Sequence, residues 1–227
     1  MGGAKLRPFK ADLHIHSCLS PCADLVMNPG NIVSRSIDKG LDIIAVCDHN
    51  SAENGEVIQQ LGRKRGLVVI PGMEVCSSEE VHILTLFRDL AETLAMQKYV
   101  YDHLPGANQP DIFGEQSVVD ERGTVIDENP RMLIMATQLG IYEIVEKTHR
   151  LKGICIASHI DRPGYGIIRK LGFIPPDLPL DGLEISRRIP FREALKNISI
   201  PINTPCITSS DAHTPDDIGK VWTSFNM

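Results

Sequence analysis

The hydrophobic positions of the chain form short runs that are separated by segments with helical periodicity. Each run has the length and the β-branched content of a buried strand. Asn28-Pro29 predicts the start of a helix that ends at Gly40, and a second helix runs to about Arg65. Strands that alternate with helices predict an α/β fold with a mostly parallel sheet. The strand-like runs are 9–14, 42–47, 67–71, 81–87, 153–157, 182–185 and 205–208.

The alternating pattern is interrupted at about 102–129 by a segment rich in proline, glycine and acidic residues. Two β-branched runs flank the turn sequence around Arg122-Gly123, which predicts a small β-hairpin. Helical stretches at 131–139 and 141–151 are then expected to return the chain to the sheet. The prediction is a single domain over 1–227 with a hairpin-containing insertion at about 102–129.

Composition limits the classes of function. The chain has 227 residues, of which 42% are hydrophobic and 23% are charged, as is ordinary for a globular domain. The formal net charge of −6 argues against an extended nucleic-acid surface, because such a surface needs an excess of lysine and arginine. No apolar run is long enough for a signal peptide core or a bilayer span, which predicts a cytoplasmic protein without membrane contact. The oligomeric state is left open.

The 6 cysteines are expected to be reduced. Cys18 and Cys22 lie in the first loop, on either side of a proline. Because no second Cys/His pair lies near them in the sequence, we interpret them as ordinary loop residues rather than zinc ligands. The other cysteines lie in apolar strand-like runs, where small buried thiols are common.

The histidines point to the chemistry of the protein. Of the 8 histidines, all except His103 and His149 lie at or close to the ends of predicted strands. His14 and His16 form an H-x-H motif, and alternation along a strand places both imidazoles on one face. In an α/β barrel the carboxyl ends of the strands meet at one mouth, so residues distant in sequence converge there. Convergent imidazoles and carboxylates predict a metal site.

The motifs H-x-H, D-H-N, P-G-M-E, V-H-I-L, S-H-I-D-R-P and S-D-A-H resemble those of the PHP (polymerase and histidinol phosphatase) family. The resemblance implies a distorted (β/α)7 barrel whose mouth holds two or three divalent metal ions, which we expect to be Zn, Mn or Fe. It implies catalytic roles for Glu74, which bridges metals, and for Asp211 and His213. The implied metal ligands are His14, His16, Asp24, His49, Glu74, His82, His159, Asp211 and His213.

The sequence departs from the family pattern at two of these motifs. Asp24 follows a turn, SPCAD, that is longer than the usual S-D-G, and the proline normally next to His159 is displaced to Pro163. The second departure leaves the ligand in place but changes the neighbouring substrate loop. Arg162 and Arg188 follow strand ends and are candidates for binding phosphate, since a guanidinium can do so with two hydrogen bonds.

These features predict a metal-dependent phosphoesterase that hydrolyses a small phosphomonoester, either a nucleotide or a phosphorylated metabolite. Adjacent metal ions can share a hydroxide that attacks phosphorus, so no side-chain nucleophile is needed. Two alternatives remain open at this point, a histidinol-phosphate phosphatase and a non-catalytic, metal-binding regulatory PHP module. An amidohydrolase-type barrel is poorly supported, because the sequence I-C-I-A-S-H offers no metal-bridging lysine.

Overall fold

The structure is a computed structural model that describes residues 7–198, 200 and 204–226. Its strands are β1 (Pro8–Ile15), β2 (Ile43–Val46), β3 (Val68–Cys76), β4 (His82–Leu86), β5 (Ser117–Val119), β6 (Val125–Glu128), β7 (Ile154–Ala157), β8 (Gly182–Ile185), β9 (Cys206–Thr208) and β10 (Thr223–Asn226). Its α-helices are α1 (Pro29–Asp38), α2 (Gly55–Lys64), α3 (Leu90–Tyr101), α4 (Pro110–Phe113), α5 (Ile141–Arg150), α6 (Ile167–Leu171) and α7 (Phe191–Asn197), and a short 3₁₀ helix spans Leu25–Met27.

An 8-stranded sheet in the order β10-β1-β2-β3-β4-β7-β8-β9 forms the body of the protein. The sheet curves until its edges meet, because Thr208 N donates to Thr223 Oγ1, and that hydroxyl donates back to Thr208 O, at 2.9 Å each. Leu13 N in β1 also donates to Ser209 Oγ, just beyond β9, at 3.3 Å. The sheet is therefore a nearly closed barrel, which confirms the prediction of a distorted (β/α)7 fold.

Strand β4 departs from the parallel arrangement that the alternating pattern predicts. It pairs antiparallel with both β3 and β7, whereas β1–β2, β2–β3, β7–β8 and β8–β9 are parallel pairs. The β3–β4 connection is short, so the chain turns back directly instead of crossing over through a helix. The first residue of β4, His82, consequently lies at the same mouth as the carboxyl ends of the parallel strands.

Helices pack on the outside of the barrel through apolar faces. Helix α1 begins where Asn28 Oδ1 accepts a hydrogen bond from Asn31 N at 3.1 Å, and Pro29 occupies its first turn, as predicted. Its buried face, with Ile32 and Val33, packs with residues of α2, β1 and β2 in one apolar cluster. Helices α3 and α5 contribute to a second cluster with β3, β4 and β7.

The barrel interior divides into an apolar half and a polar half. Leu13, Leu84 and Ile156 belong to an aliphatic cluster inside the barrel. Farther along the same strands, towards the other mouth, the interior positions carry imidazoles and carboxylates. The apolar half holds the strands together, and the polar half carries the candidate chemistry.

The insertion contains the predicted hairpin, since β5 and β6 pair antiparallel. Ser117 N donates to Cys18 O at 3.0 Å, and Asn54 Nδ2 donates to Ser117 O at 3.1 Å, so the hairpin is bonded to the first loop. The helix predicted at 131–139 is wrong, because this segment is irregular. Asn50 Nδ2 donates to the carbonyls of Leu133 and Met135 at 2.8 Å each, which takes acceptors that a helix would need.

Among the helices of the described ranges, none has both the length and the apolar character needed to span a membrane.

Candidate metal centre

The predicted metal ligands, apart from Asp24, come together at one mouth of the barrel. Most of them are buried, and the two that follow β9 are half-buried. Residues far apart in sequence meet here because each lies at the same end of a neighbouring strand. The set comprises His14 and His16 at the end of β1, His49 after β2, Glu74 in β3, His82 at the start of β4, His159 after β7, and Asp211 and His213 after β9.

Glu74 is the central acid of this mouth. Its carboxylate is almost completely buried, and it faces imidazole nitrogens from several strands. Burial alone would raise its pKa, but the imidazoles of His82 and His14 outweigh that effect and hold the pKa well below its usual range. The carboxylate therefore stays ionised. The nitrogen-to-oxygen distances from Glu74 are 3.3 Å to His14, 3.6 Å to His16, 3.2 Å to His49, 3.1 Å to His82 and 3.2 Å to His159.

Asp211 is the second acid of the mouth. Its Oδ1 lies 3.5 Å from His14 Nε2 and 3.4 Å from His16 Nε2. Arg162 Nη1 donates a hydrogen bond to its Oδ2. Burial would raise its pKa, but His14 and His16 hold the pKa well below its usual range. One carboxylate therefore joins the ligand cluster to a predicted phosphate-binding arginine.

Two buried hydrogen-bond networks orient the H-x-H imidazoles. Glu184 in β8 accepts from His14 Nδ1 at 3.0 Å and from the backbone N of His159 at 2.9 Å. Ser20 Oγ lies 3.0 Å from His16 Nδ1 and donates to Asp48 Oδ1 at 2.7 Å. Such outer groups fix the tautomer and direction of ligand imidazoles.

Sequence reasoning missed both of these networks. Glu184 is the single acid in the apolar run 182–185, and Asp48 follows the apolar run 43–47 and directly precedes His49. An isolated acid in or just after an apolar strand was the sequence signal that could have identified both residues. Buried ionisable groups are rare unless they are paired, which makes such acids worth attention.

The hydrogen bonds assign the protons on the two imidazoles. The single hydroxyl proton of Ser20 goes to Asp48, so Ser20 Oγ must accept from His16 Nδ1. Glu184 accepts from His14 Nδ1 in the same way. Both Nε2 atoms are then left as acceptors, yet they face each other at 3.1 Å. Two facing lone pairs repel unless a proton or a metal cation lies between them.

The donor atoms fit divalent cations at several overlapping positions. Two imidazole nitrogens, His82 Nδ1 and His159 Nδ1, are buried without a hydrogen-bond partner, although His82 Nδ1 lies near Glu74. In each of three groups, the ligand atoms all lie within 4.8 Å of one another. Groups that share members are suited to neighbouring ions rather than a single one. The groups are His16, His49 and His213; His14, His16 and Asp211; and His49, Glu74 and His82.

Asp24 lies outside these groups, and its role as a ligand stays a prediction. The residue is exposed at the start of the 3₁₀ helix. The thiol of Cys22, two residues earlier, is also exposed and likewise lies outside these groups, although the imidazoles of His213 and His49 influence its pKa. Desolvation raises the pKa of this thiol, but the two imidazoles outweigh it and lower the pKa to about 6.

The two candidate substrate residues differ in position. Arg162 is partly buried at the mouth, where it reaches Asp211. Arg188 is exposed, and its backbone N donates to Ser186 Oγ at 3.2 Å. The adjacent Arg187 is already paired with Asp217 at 2.7 Å.

Strained backbone accompanies these residues around the mouth. Asn50, His159, Tyr165 and Asp211 have φ values of 51°, 28°, 61° and 49°, which non-glycine residues rarely adopt. At Gly166, an added Cβ would lie 2.7 Å from Arg162 O, so only glycine closes this turn. Strain of this kind collects at functional sites, where the surrounding structure holds it in place.

Comparison with curated proteins finds two partial relatives. The chain is 31% identical over 101 residues to the Uncharacterized protein MJ1587 of Methanocaldococcus jannaschii, a match that covers 40% of this chain and 59% of that protein. It is 31% identical over 80 residues to a 5'-3' exoribonuclease of Haemophilus influenzae, covering 34% of this chain and 28% of the relative. The chain thus spans less than two thirds of either relative.

A family model described as PHP-associated matches residues 201–227, the segment that contains Asp211 and His213. Solved structures share the fold over most of the chain. A lesion-specific endonuclease, PfuEndoQ of Pyrococcus furiosus, matches with a TM-score of 0.69 and 18% identity, covering 96% of this chain and 52% of that one. A two-domain protein from Bacteroides vulgatus containing a predicted PHP-like metal-dependent phosphoesterase matches with a TM-score of 0.50 and 15% identity, covering 93% and 54%. These matches confirm the resemblance to the PHP family.

A further matching structure corrects the prediction about partners. Endonuclease Q in complex with a 27-mer duplex substrate, with an abasic lesion at its active site, matches with a TM-score of 0.66 and 19% identity, covering 92% of this chain and 50% of that one. The predicted small phosphorylated substrate and the predicted lack of an extended nucleic-acid surface are therefore wrong. The error came from the net charge of −6, which describes the whole chain and not one mouth.

Proposed function

From the premise of a PHP-type barrel with a PHP-associated C-terminal segment, we propose that this protein is a metal-dependent phosphoesterase acting on nucleic-acid phosphodiester bonds. The proposed cofactors are two or three divalent ions of zinc, manganese or iron. Their proposed ligands are the imidazoles and carboxylates at the mouth of the barrel. The chain spans about half of the endonuclease structures, so the activity proposed is that of this barrel.

One observation carries the metal part of the proposal. His14 Nε2 and His16 Nε2 face each other at 3.1 Å, and the hydrogen bonds of Glu184 and Ser20 take up the protons on the opposite ring nitrogens. Two imidazole acceptors this close need a proton or a metal cation between them. The arrangement suits a cation bound by both imidazoles.

Bound divalent ions would supply Lewis acidity towards a phosphoryl oxygen and would activate water at neutral pH. The chain's own groups prepare the site for this chemistry. Glu184 and Ser20 hold the H-x-H imidazoles in one tautomer, and Glu74 stays ionised at the centre of the cluster. We assign catalytic roles to Glu74, Asp211 and His213.

Residues at the rim are proposed to bind the substrate. Arg162 holds Asp211 with one nitrogen, which leaves further N–H donors for a phosphate. Arg188 is exposed and directly follows Arg187, which is paired with Asp217. We propose that Arg188 contacts the nucleic-acid backbone. Replacing either Arg162 or Arg188 with alanine should mainly raise KM, by about 10-fold for a charge-assisted bond of ~1.5 kcal/mol. An unchanged KM in either variant would argue against that residue.

The nucleic-acid part of the proposal has two supports. The matched relatives include an endonuclease structure bound to duplex substrate and an exoribonuclease. In addition, the ring of Tyr165 stacks on His82 with centroids 4.3 Å apart and remains 38% exposed. An aromatic ring with one supported face and an accessible part can stack against a nucleobase.

The insertion is proposed to belong to the same domain as the barrel, so that 1–227 form one unit with an insertion at about 102–129. The hydrogen bonds from the hairpin to Cys18 and Asn54 support this division of the chain. They tie the hairpin to the loop that follows the H-x-H motif.

The proposal is tested with purified protein reconstituted separately with Mn²⁺, Zn²⁺ or Fe²⁺. The substrates are end-labelled single-stranded and duplex DNA and RNA, a duplex with an abasic position, and p-nitrophenyl phosphate. We expect oligonucleotide cleavage that depends on metal and is lost in Glu74→Gln. A protein that binds metal fully but cleaves none of the oligonucleotides would overturn the nucleic-acid assignment.

A further inference from the structure

The end of the barrel opposite the metal centre contains an open cavity of about 880 Å³. Leu13 in β1, Ile156 in β7 and Ile207 in β9 line it, and all of them belong to the aliphatic cluster inside the barrel. Val68 and Ile154 also line the cavity and are exposed. Concave sites of this volume with mainly apolar walls are typical of small-molecule binding.

Three cationic side chains line the same cavity. Arg63 lies in the last turn of α2, just before β3, Arg88 directly follows β4, and Lys152 precedes β7. All of them are exposed. Within the part of the chain that the structure describes, the ion pairs of lysine and arginine involve other residues. The three cations are therefore available to an anionic ligand.

The positive charge is confined to one side of the cavity. Strands β3, β4 and β7, next to which the cations lie, are neighbours in the sheet. The opposite side is formed by β9, β10 and β1, where Ile207 and Phe225 line the cavity. Asp181 is an acid in the lining, but its Oδ2 already accepts from His149 Nε2 and Cys155 N at 2.8 Å each. The cavity thus has a cationic side and an apolar side.

We propose that this cavity binds an anionic amphiphile with one aliphatic chain and one carboxylate head. The head would pair with Arg88 and its neighbouring cations, since a guanidinium can bind a carboxylate with two hydrogen bonds. The chain would cover the aliphatic side chains of the floor and remove them from water. The inference does not rest on the proposed metal centre or on the proposed nuclease activity.

Shape and charge favour this ligand over two other occupants. A membrane surface would meet a protruding apolar patch, whereas this apolar surface is concave and admits a single chain. In a symmetric dimer the same face of each copy would meet, so the three cations would face their own equivalents. Like charges brought together in this way oppose association.

The experiment uses the intact protein with decanoate as the probe and decan-1-ol as the uncharged control of equal chain length. Binding is measured at neutral pH by displacement of the fluorescent probe anilinonaphthalene sulfonate. We expect saturable binding of one decanoate per chain. Decan-1-ol should bind at least about 10-fold more weakly, because it cannot form the charge-assisted hydrogen bonds to the cations.

Variants separate the two sides of the cavity. Arg88→Gln and Arg63→Gln should each weaken decanoate binding by about 10-fold and leave decan-1-ol binding unchanged. Lys64→Gln is the matched control, because Lys64 adjoins Arg63 but is bonded to Glu121 at 2.7 Å, and it should change neither affinity. Val68→Asp places a carboxylate on the apolar wall and should weaken the binding of both probes by at least about 10-fold. Metal content and Tm of each variant show whether its fold is intact.

Several results would overturn the proposal. These are the absence of saturable decanoate binding, equal affinities for decanoate and decan-1-ol, and an equal loss in Lys64→Gln and Arg63→Gln. Two further measurements test the other occupants, sedimentation of the protein at rising concentration and its co-sedimentation with phosphatidylglycerol vesicles. A dimer or a vesicle complex that forms in wild type and is lost in Val68→Asp would assign the face to a second copy or to a membrane instead. If Val68→Asp does not fold, Arg88→Gln still decides the outcome, because the side chain of Arg88 is exposed.

Discussion

The two ends of the barrel differ in what fills them. At one end, imidazoles and carboxylates from successive strands contact one another and leave facing acceptors and unpartnered nitrogens. At the other end, aliphatic side chains that include Leu13, Val68 and Ile156 line an open cavity of about 880 Å³. This open apolar space therefore lies at the end without the candidate chemistry.

This difference shows which property locates a metal site. A metal centre is compact because its ligands must approach one ion, so a prepared centre leaves little open space. Such a centre is recognised by buried ionisable groups whose nitrogen and oxygen atoms lack a full set of hydrogen-bond partners within the protein. The cavity at the opposite end exists because none of the described elements covers the strand ends there. Val68, which lines this cavity, is accordingly 55% exposed.

The largest expected effect is at the centre of the polar end. Glu74→Gln removes the charge that faces the surrounding imidazoles, so metal affinity and kcat should both fall by more than ~100-fold, the upper figure for loss of an outer partner. Metal analysis and kinetics on the same samples measure this. Glu146→Gln, an exposed acid on α5, is the control and should change neither. If Glu74→Gln kept the wild-type metal content, the polar end of the barrel would not be the metal centre that we propose.

Metal removal is expected to have the next largest effect. With free metal at 100 times its Kd, binding stabilises the folded state by about 2.7 kcal/mol. For a chain of this length, a chelator should therefore lower Tm by roughly 5 to 11 °C. Calorimetry before and after chelation gives the value, and re-addition of metal should restore it. A Tm that does not respond would mean that the polar end is stable without an ion.

Glu184→Gln should have a smaller effect, since this acid acts through His14 and His159. Loss of an outer carboxylate that orients a ligand lowers metal affinity by about 10 to 100-fold. Metal titration of the variant measures this, and Glu193→Gln on the exposed face of α7 is the matched control. Equal affinity in the two variants would show that His14 does not need Glu184 for its orientation.

The smallest effect is expected at the apolar end. Ile156→Val removes one methylene from the aliphatic cluster and should cost about 0.5 to 1.5 kcal/mol in the free energy of unfolding. Metal content and kcat should stay at wild-type values, because Ile156 belongs to the aliphatic cluster and is not one of the proposed ligands. Denaturant unfolding and metal analysis test both statements. A loss of metal in this variant would indicate that the two ends are coupled.

Local patterns explain how much of the fold was predictable. The strand at 182–185 and the helices beginning near Pro29 and Ile141 occur as expected, because turn residues and apolar periodicity act over short distances. The helix predicted at 131–139 failed because Asn50, distant in sequence, binds its carbonyls. The direction of β4 was also missed, since strand pairing is not encoded in the strand's own residues.

The sequence by itself determined the residue types of the candidate centre and the barrel that assembles them. Histidines and acids at strand ends are visible in the chain, and the ends of barrel strands must converge. Only the tertiary structure decided which residues face one another. His14 and Glu184 are 170 residues apart, and Asp24 lies outside the group of ligand atoms that contains His16, His49 and His213. These outcomes depend on loop geometry and on contacts between residues distant in sequence. Local propensity cannot specify them, because the interactions that determine them form between different strands, helices and loops.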